Sequence, residues 1–196
     1  MIVNKVTDLI GNTPLFEIKM KNNDWRVFLK LEKFNPGGSM KDRMALNMIE
    51  QAEKDGRLKP GGTIIESSSG NTAIGLAIAS AIKGYKFIAV VDHHASKEKI
   101  DMIKAYGGEI VVVGDGYKAN EVAVVERERT AKRMSEEMEN AFFPNQADNF
   151  DNRSAYTNTL AKELINKLGT IDSFYAAIGT GGSSCGTALG LNEHNQ

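Results

Sequence analysis

The stretch Asn35-Pro36-Gly37-Gly38-Ser39-Met40-Lys41-Asp42-Arg43 decides how the rest of the chain is read. A loop of small residues runs directly into a lysine at the start of a predicted helix. Ser39 is suited to cap that helix, and Asp42, three residues on, completes a Ser-x-x-Asp capping box. Met44, Ala45, Met48, Ile49 and Ala52 recur at helical spacing, and Gly56 stops the run. Lys41 then lies near the positive end of a helix dipole, which lowers its proton affinity. A lysine made neutral in this way attacks carbonyls and holds a Schiff base. The bland alternative is a solvated lysine at a helix start, the commoner fate of lysines.

Outward from that stretch, strand and helix patterns alternate. Val27 to Leu31 reads as a strand that delivers the chain to the Lys41 loop, after a turn at Ile10 to Leu15. Thr63 to Glu66 is a short strand, followed by Ser67-Ser68-Ser69-Gly70-Asn71-Thr72 and a helix from about Ala73 to Lys83 that is apolar on most faces and therefore buried. Strands are predicted at Lys86 to Val91, Glu109 to Val113 and Ser173 to Ile178, with a short segment of unassigned type at Ala141 to Phe143. Helices are predicted at Ser96 to Tyr106, at Tyr117 to about Asn140 with Glu128 and Lys132 as an i,i+4 pair, and at about Arg153 to Leu168. No hairpin signal stands out. The pattern argues for an α/β fold with parallel strands and crossover helices.

Bulk properties narrow the function classes. The 196 residues carry a formal net charge of -1, with 41% hydrophobic and 25% charged residues. That balance points to a soluble globular protein and away from nucleic acid or an anionic membrane. The single cysteine, Cys185, excludes an intramolecular disulfide and fits a reducing compartment. The N-terminal residues lack a signal-peptide core, so the expected location is the cytoplasm.

Ligands of parallel α/β sheets gather at the C-terminal ends of strands. Three small-residue loops fall there. The first ends in Lys41. The second, Ser67 to Thr72, presents backbone N–H groups suited to a carboxylate. The third, Gly179-Thr180-Gly181-Gly182-Ser183-Ser184, has glycines for close approach and hydroxyls as added donors, which suits a phosphate. A reactive lysine with one carboxylate loop and one phosphate loop suggests pyridoxal phosphate and an amino acid. Other features read as ordinary structure. Gly114-Asp115-Gly116-Tyr117-Lys118-Ala119 is a turn, since no acidic residue follows at the spacing a dinucleotide site needs. His93 and His94 have no third metal ligand at a helpful spacing, so no metal is expected. Cys185 reads as a buried structural thiol.

These motifs together resemble the cysteine synthase and cystathionine β-synthase family of fold-type II pyridoxal phosphate enzymes. Ile10 to Leu15 (IGNTPL), Asn35 to Arg43 (NPGGSMKDR), Ser67 to Thr72 (SSSGNT) and Gly179 to Ser183 (GTGGS) match its signatures in order and separation. The resemblance implies a tryptophan synthase β-like fold of two lobes with mostly parallel sheets. It places residues 1–40 and 149–196 in a large cofactor lobe and 41–148 in a small substrate lobe. Lys41 looks like the Schiff-base lysine, which also moves the Cα proton, and Asn71 like the partner of the cofactor ring hydroxyl. Gly179, Thr180, Gly181, Gly182 and Ser183 look like the phosphate cradle. Ser68, Ser69, Gly70 and Thr72 look like the substrate-carboxylate clamp, with Gln146 beside it.

The implied reaction is β-replacement on O-acetylserine or O-phosphoserine, as in a cysteine synthase, within a homodimer. Ser67, Ser68 and Ser183 stand where the family commonly has proline, threonine and threonine. Asp92-His93-His94-Ala95 departs from the cysteine synthase pattern and points to a second possibility. That alternative is a phosphoserine-dependent ligase with an amino-acid nucleophile, as in diaminopropionate synthesis. Family catalytic regions run to about 300 residues, so the large lobe is expected to be incomplete here. A third possibility is therefore a catalytically impaired remnant or a partner-binding protein.

Overall fold

A computed structural model describes residues 2–21, 24–116 and 123–195. Its centre is a four-stranded parallel sheet in the order β5-β4-β3-β6, formed by β3 (Thr63–Ser67), β4 (Lys86–Val91), β5 (Glu109–Val112) and the short β6 (Ala141–Phe142). Helices α1 (Lys41–Asp55), α2 (Asn71–Lys83) and α3 (Lys97–Ala105) lie on one side, and α4 (Val124–Glu137) covers the other. The pleat explains the layers. Ile64 pairs with Phe87 and both enter the α1–α2 core, while Ile65 pairs with Ile88 and both face Ala131 of α4. All five residues of β3 are buried, and Thr72 through Ser80 of α2 are buried, as an apolar strand and helix require.

The second half of the molecule is built differently. Strands β1 (Leu15–Lys19) and β2 (Arg26–Lys30) form an antiparallel pair. This corrects the expectation of alternation without hairpins; the cross-strand partners alternate too weakly in hydrophobicity to announce themselves. The helical stretch α5 (Phe150–Tyr156) begins earlier than expected, because Asn149 caps it by accepting the Asp151 N–H at 2.9 Å. A π-helical turn at Thr157–Ala161 leads into α6 (Lys162–Leu168). Helix α7 (Gly182–Asn195) packs on α5 through Gly182 and Gly186 and on the π-helical turn through Gly190. A Cβ at Gly186 would lie 2.3 Å from the Arg153 carbonyl oxygen, so only glycine permits this approach.

Two further expectations fail. Ser173 to Ile178 forms no strand: it has no ladder partner among the described residues, and every one of its side chains is exposed. Local propensity favours a strand there, but a strand needs a neighbour. Lys132 pairs with Glu136 at 3.9 Å and not with Glu128. The start of the expected helix at Tyr117, and the end of the Gly114 to Ala119 turn, lie outside the described residues. Gly114 and Gly116 take positive φ values, as a turn requires.

Candidate active site

Lys41 is the first residue of α1 and is half-buried. Burial pushes its amine pKa down, while the negative charge of Glu66 acts in the opposite sense. Desolvation is thus the largest cause of the lowering. The capping box does not form. Ser39 Oγ accepts the Lys41 backbone N–H at 3.1 Å, and Asp42 turns back to accept the Gly37 N–H. The reason is the helix start: with Lys41 first, Asp42 sits in the first turn and reaches into the preceding loop. Burial raises the Asp42 carboxyl to about 6, and its Oδ1 has no partner among the described residues.

The lysine loop is anchored by its neighbour Arg43, whose guanidinium is buried between two carboxylates. Its Nε and Nη2 bond Glu32 at 2.7 and 2.8 Å, and its Nη1 and Nη2 bond Glu163 at 2.6 and 2.9 Å. Glu163 also accepts from Lys30 Nζ at 2.7 Å and from the Asn12 N–H at 2.8 Å. Asn35 Oδ1 accepts the Gly11 N–H at 2.8 Å, and Thr13 Oγ1 bonds Glu32 at 2.6 Å. The IGNTPL segment therefore acts here as a brace for the lysine loop.

The Ser67 to Thr72 loop links β3 to α2, and α2 lies tight against the start of α1. A Cβ at Gly75 would sit 3.2 Å from the Lys41 carbonyl oxygen. This contact brings the second loop to the lysine. Ser68 is buried and its Oγ accepts the Gly70 N–H at 3.2 Å; Ser69 and Gly70 are half-buried. The first N–H groups of α2 have no acceptor within the helix and are available to an anion. Thr72 Oγ1 bonds Gln146 Oε1 at 2.7 Å, which joins the weakest of the sequence matches to the loop. Asn71 is exposed, and Lys99 Nζ of α3 holds its Oδ1 at 2.7 Å.

Gly179 and Thr180 are exposed, whereas Gly181, Gly182 and Ser183 are half-buried at the start of α7. Gly181 takes φ +86°, a turn that delivers the chain into the helix. A Cβ at Gly182 would lie 2.3 Å from Asn152 Oδ1. Glycine backbone at a helix start, flanked by two hydroxyls, suits a phosphate group.

Two residues of this region were not singled out in the sequence. Glu66, next to last in β3, is 2% exposed; its carboxylate accepts the Ser67 N–H at 2.8 Å and the Gln146 N–H at 3.2 Å. Burial lifts its pKa to about 7, against those backbone donors. Asn152 bonds both Gln146 and Thr180. A charged residue inside a run of strand formers was a visible signal for Glu66; Asn152 had none. Cys185, expected to be buried, is exposed. Position four of α7 falls on the helix face away from α5, because the glycines occupy the packed face. His93 and His94 are exposed with rings 4.2 Å apart, and among the described residues no metal-binding group of three occurs.

A family model described as pyridoxal-phosphate dependent enzyme matches residues 6–196. The chain belongs to that family. It is 50% identical over its full length to a putative cysteine synthase of Sinorhizobium fredii, covering 58% of that relative, and 43% identical to a probable cysteine synthase of Bacillus subtilis, covering 98% of this chain and 62% of the relative. A crystal structure of a hydrogen sulfide-producing enzyme from Fusobacterium nucleatum superposes with TM-score 0.88 at 41% identity, over 98% of this chain and 62% of that one. An O-acetylserine dependent cystathionine beta-synthase from Helicobacter pylori superposes with TM-score 0.89 at 35% identity, over 99% and 63%. The α/β fold with its parallel sheet is that of the fold-type II enzymes. This chain spans about three fifths of the length of these relatives. Among the described residues no helix is long and apolar enough to cross a membrane.

Proposed function

We propose that this chain carries the site of a pyridoxal-phosphate-dependent β-replacement on an activated serine, O-acetylserine or O-phosphoserine, of the cysteine synthase type. The observation that carries the reading is Lys41: a half-buried lysine of lowered pKa at the head of α1, packed beside the β3–α2 loop. The donor set fits the cofactor. Gly179 to Ser183 would hold its phosphate, Asn71 would meet its ring hydroxyl once Lys99 releases it, and Lys41 would hold its carbonyl carbon. When bound, the cofactor supplies an electron sink for the electrons left at Cα.

Ser68, Ser69, Gly70 and Thr72, with Gln146 behind them, would hold the substrate carboxylate at the N-terminus of α2 and so orient the Cα–H bond toward Lys41. Lys41 would take the Cα proton as the acetate or phosphate leaves Cβ with its bonding pair, and a nucleophile such as sulfide would then form the new bond at Cβ. A lysine whose pKa burial lowers is suited to that proton transfer. We assign residues 1–40 and 149–196 to the cofactor lobe and 41–148 to the substrate lobe. Two of the three apolar clusters lie wholly within 45–142, which supports this division. A homodimer in the cytoplasm completes the reading.

The test is borohydride reduction of the chain incubated with pyridoxal phosphate, followed by peptide mapping. A reduced adduct on Lys41, absent in Lys41→Ala, is expected. A folded chain that takes up no cofactor would overturn the reading and leave a partner-binding role. Titration with O-acetylserine and with O-phosphoserine, followed by absorbance, then decides the leaving group.

A further inference from the structure

Gln146 is held at three points. Its N–H donates to Glu66 Oε2 at 3.2 Å, its side-chain Oε1 accepts from Thr72 Oγ1 at 2.7 Å, and its carbonyl accepts from Asn152 Nδ2 at 2.7 Å. The same Asn152 Nδ2 reaches Thr180 Oγ1 at 3.3 Å. One amide group therefore touches the segment behind the β3–α2 loop with one N–H and the start of the α7 loop with the other. Asn152 is 2% exposed, and its Oδ1 has no hydrogen-bond partner among the described residues. That oxygen faces Gly182, where any side chain would collide with it. A buried amide left with an orphaned acceptor is costly to keep for packing alone.

We infer that Asn152 is a positioning residue that sets the spacing between the loop at 68–72 and the loop at 179–183, so that binding at one is coupled to binding at the other. The inference rests on the reading above, in which the first loop takes a carboxylate and the second a phosphate. Physically, the amide is planar and buried, and its two N–H groups point in fixed directions. A shift of Gln146 toward an arriving carboxylate moves the acceptor of one N–H, and the other must follow at Thr180. Such coupling is reciprocal between the two sites.

The experiment measures how strongly each chain prefers pyridoxal phosphate over pyridoxal, which lacks the phosphate, by absorbance titration. Thr72→Val breaks the link in the carboxylate loop, away from Gly179 to Ser183. It should lower the phosphate preference about fivefold when Asn152 is present, and by less than about 1.5-fold in the Asn152→Ala background. Thr72→Val acting equally in both backgrounds, or in neither, overturns the inference. Far-UV circular dichroism checks folding; where Asn152→Ala does not fold, Asn152→Asp, of the same shape but without the two donated bonds, takes its place. A wild-type chain that binds no pyridoxal phosphate overturns the underlying reading before any substitution is made, so the two failures are told apart.

Discussion

The parallel sheet and the region around Arg43 are held together by different forces. In the sheet, β3, α2 and most of β4 are buried in apolar clusters on both faces, and the largest side chains there are Ile, Leu and Phe. Around Arg43, the brace is ionic: one guanidinium between Glu32 and Glu163, with Lys30 alongside. The hairpin it anchors keeps Phe16, Trp25 and Leu29 exposed, and Tyr175 and Ile178 stand 90% and 77% exposed in the unpaired segment nearby in sequence to α7. Apolar packing tolerates changes of shape by relaxation, whereas a buried charge tolerates no loss of partner. The lysine loop thus hangs from the less forgiving half.

The sharpest way to break this comparison is to remove one element of each kind. Arg43→Ala is expected to cost about 3–5 kcal/mol because it leaves the largely buried Glu32 carboxylate without its cation and Glu163 with Lys30 alone. Ile65→Ala should cost about 2–4 kcal/mol through its cavity. Urea melts measured across acid pH separate the two. Glu163 is held down to about 2 by Arg43 and Lys30 against the effect of burial, so its stabilisation is full above 4.5 and disappears as pH falls through 2. Ile65→Ala should keep that acid loss, and Arg43→Ala should show much less of it. Equal acid profiles would mean that the ionic brace carries no weight.

A smaller effect comes from Glu66. Its folded pKa is raised to about 7 from 4.5, so it favours the folded state below 4.5, and that contribution fades as pH rises through 7. Asp42, raised to about 6, acts in the same direction. Stability should therefore decline from pH 4.5 to 7, and Glu66→Gln should flatten the decline by on the order of 1–3 kcal/mol. Thermal melts in that window check it; an unchanged slope would place the effect elsewhere. The smallest effect is expected at the exposed segment. Tyr175→Ser should change the unfolding free energy from urea melts by less than about 0.5 kcal/mol, and a larger loss would show that Tyr175 is buried in solution.

Much of the fold was legible because its signals are local. The strands at 63–67, 86–91 and 109–112 and the helices at 41–55 and 97–105 fall within a residue or two of where periodicity, turns and Gly56 put them. Ser96, the first residue of the predicted helix, stands just outside α3 and caps it by accepting the Lys99 N–H at 3.4 Å. The segment at Ser173 to Ile178 shows the limit. Its residues favour a strand, but pairing is a property of two segments, and no described strand pairs with it.

What the sequence by itself determined, then, is the alternation of elements, the three small-residue loops and the lysine at a helix start, together with the family those motifs identify. Each of these is written in contiguous residues. Only the tertiary structure decided that burial tunes Lys41, that Asp42 serves Gly37, and that Thr72, Gln146, Asn152 and Thr180 form one chain of hydrogen bonds. Thr72 and Gln146 are separated by 74 residues and Arg43 and Glu163 by 120, and no local propensity records a partner at that range. The direction of a side chain in a packed interior is set by every element around it, and that is known only once they are assembled.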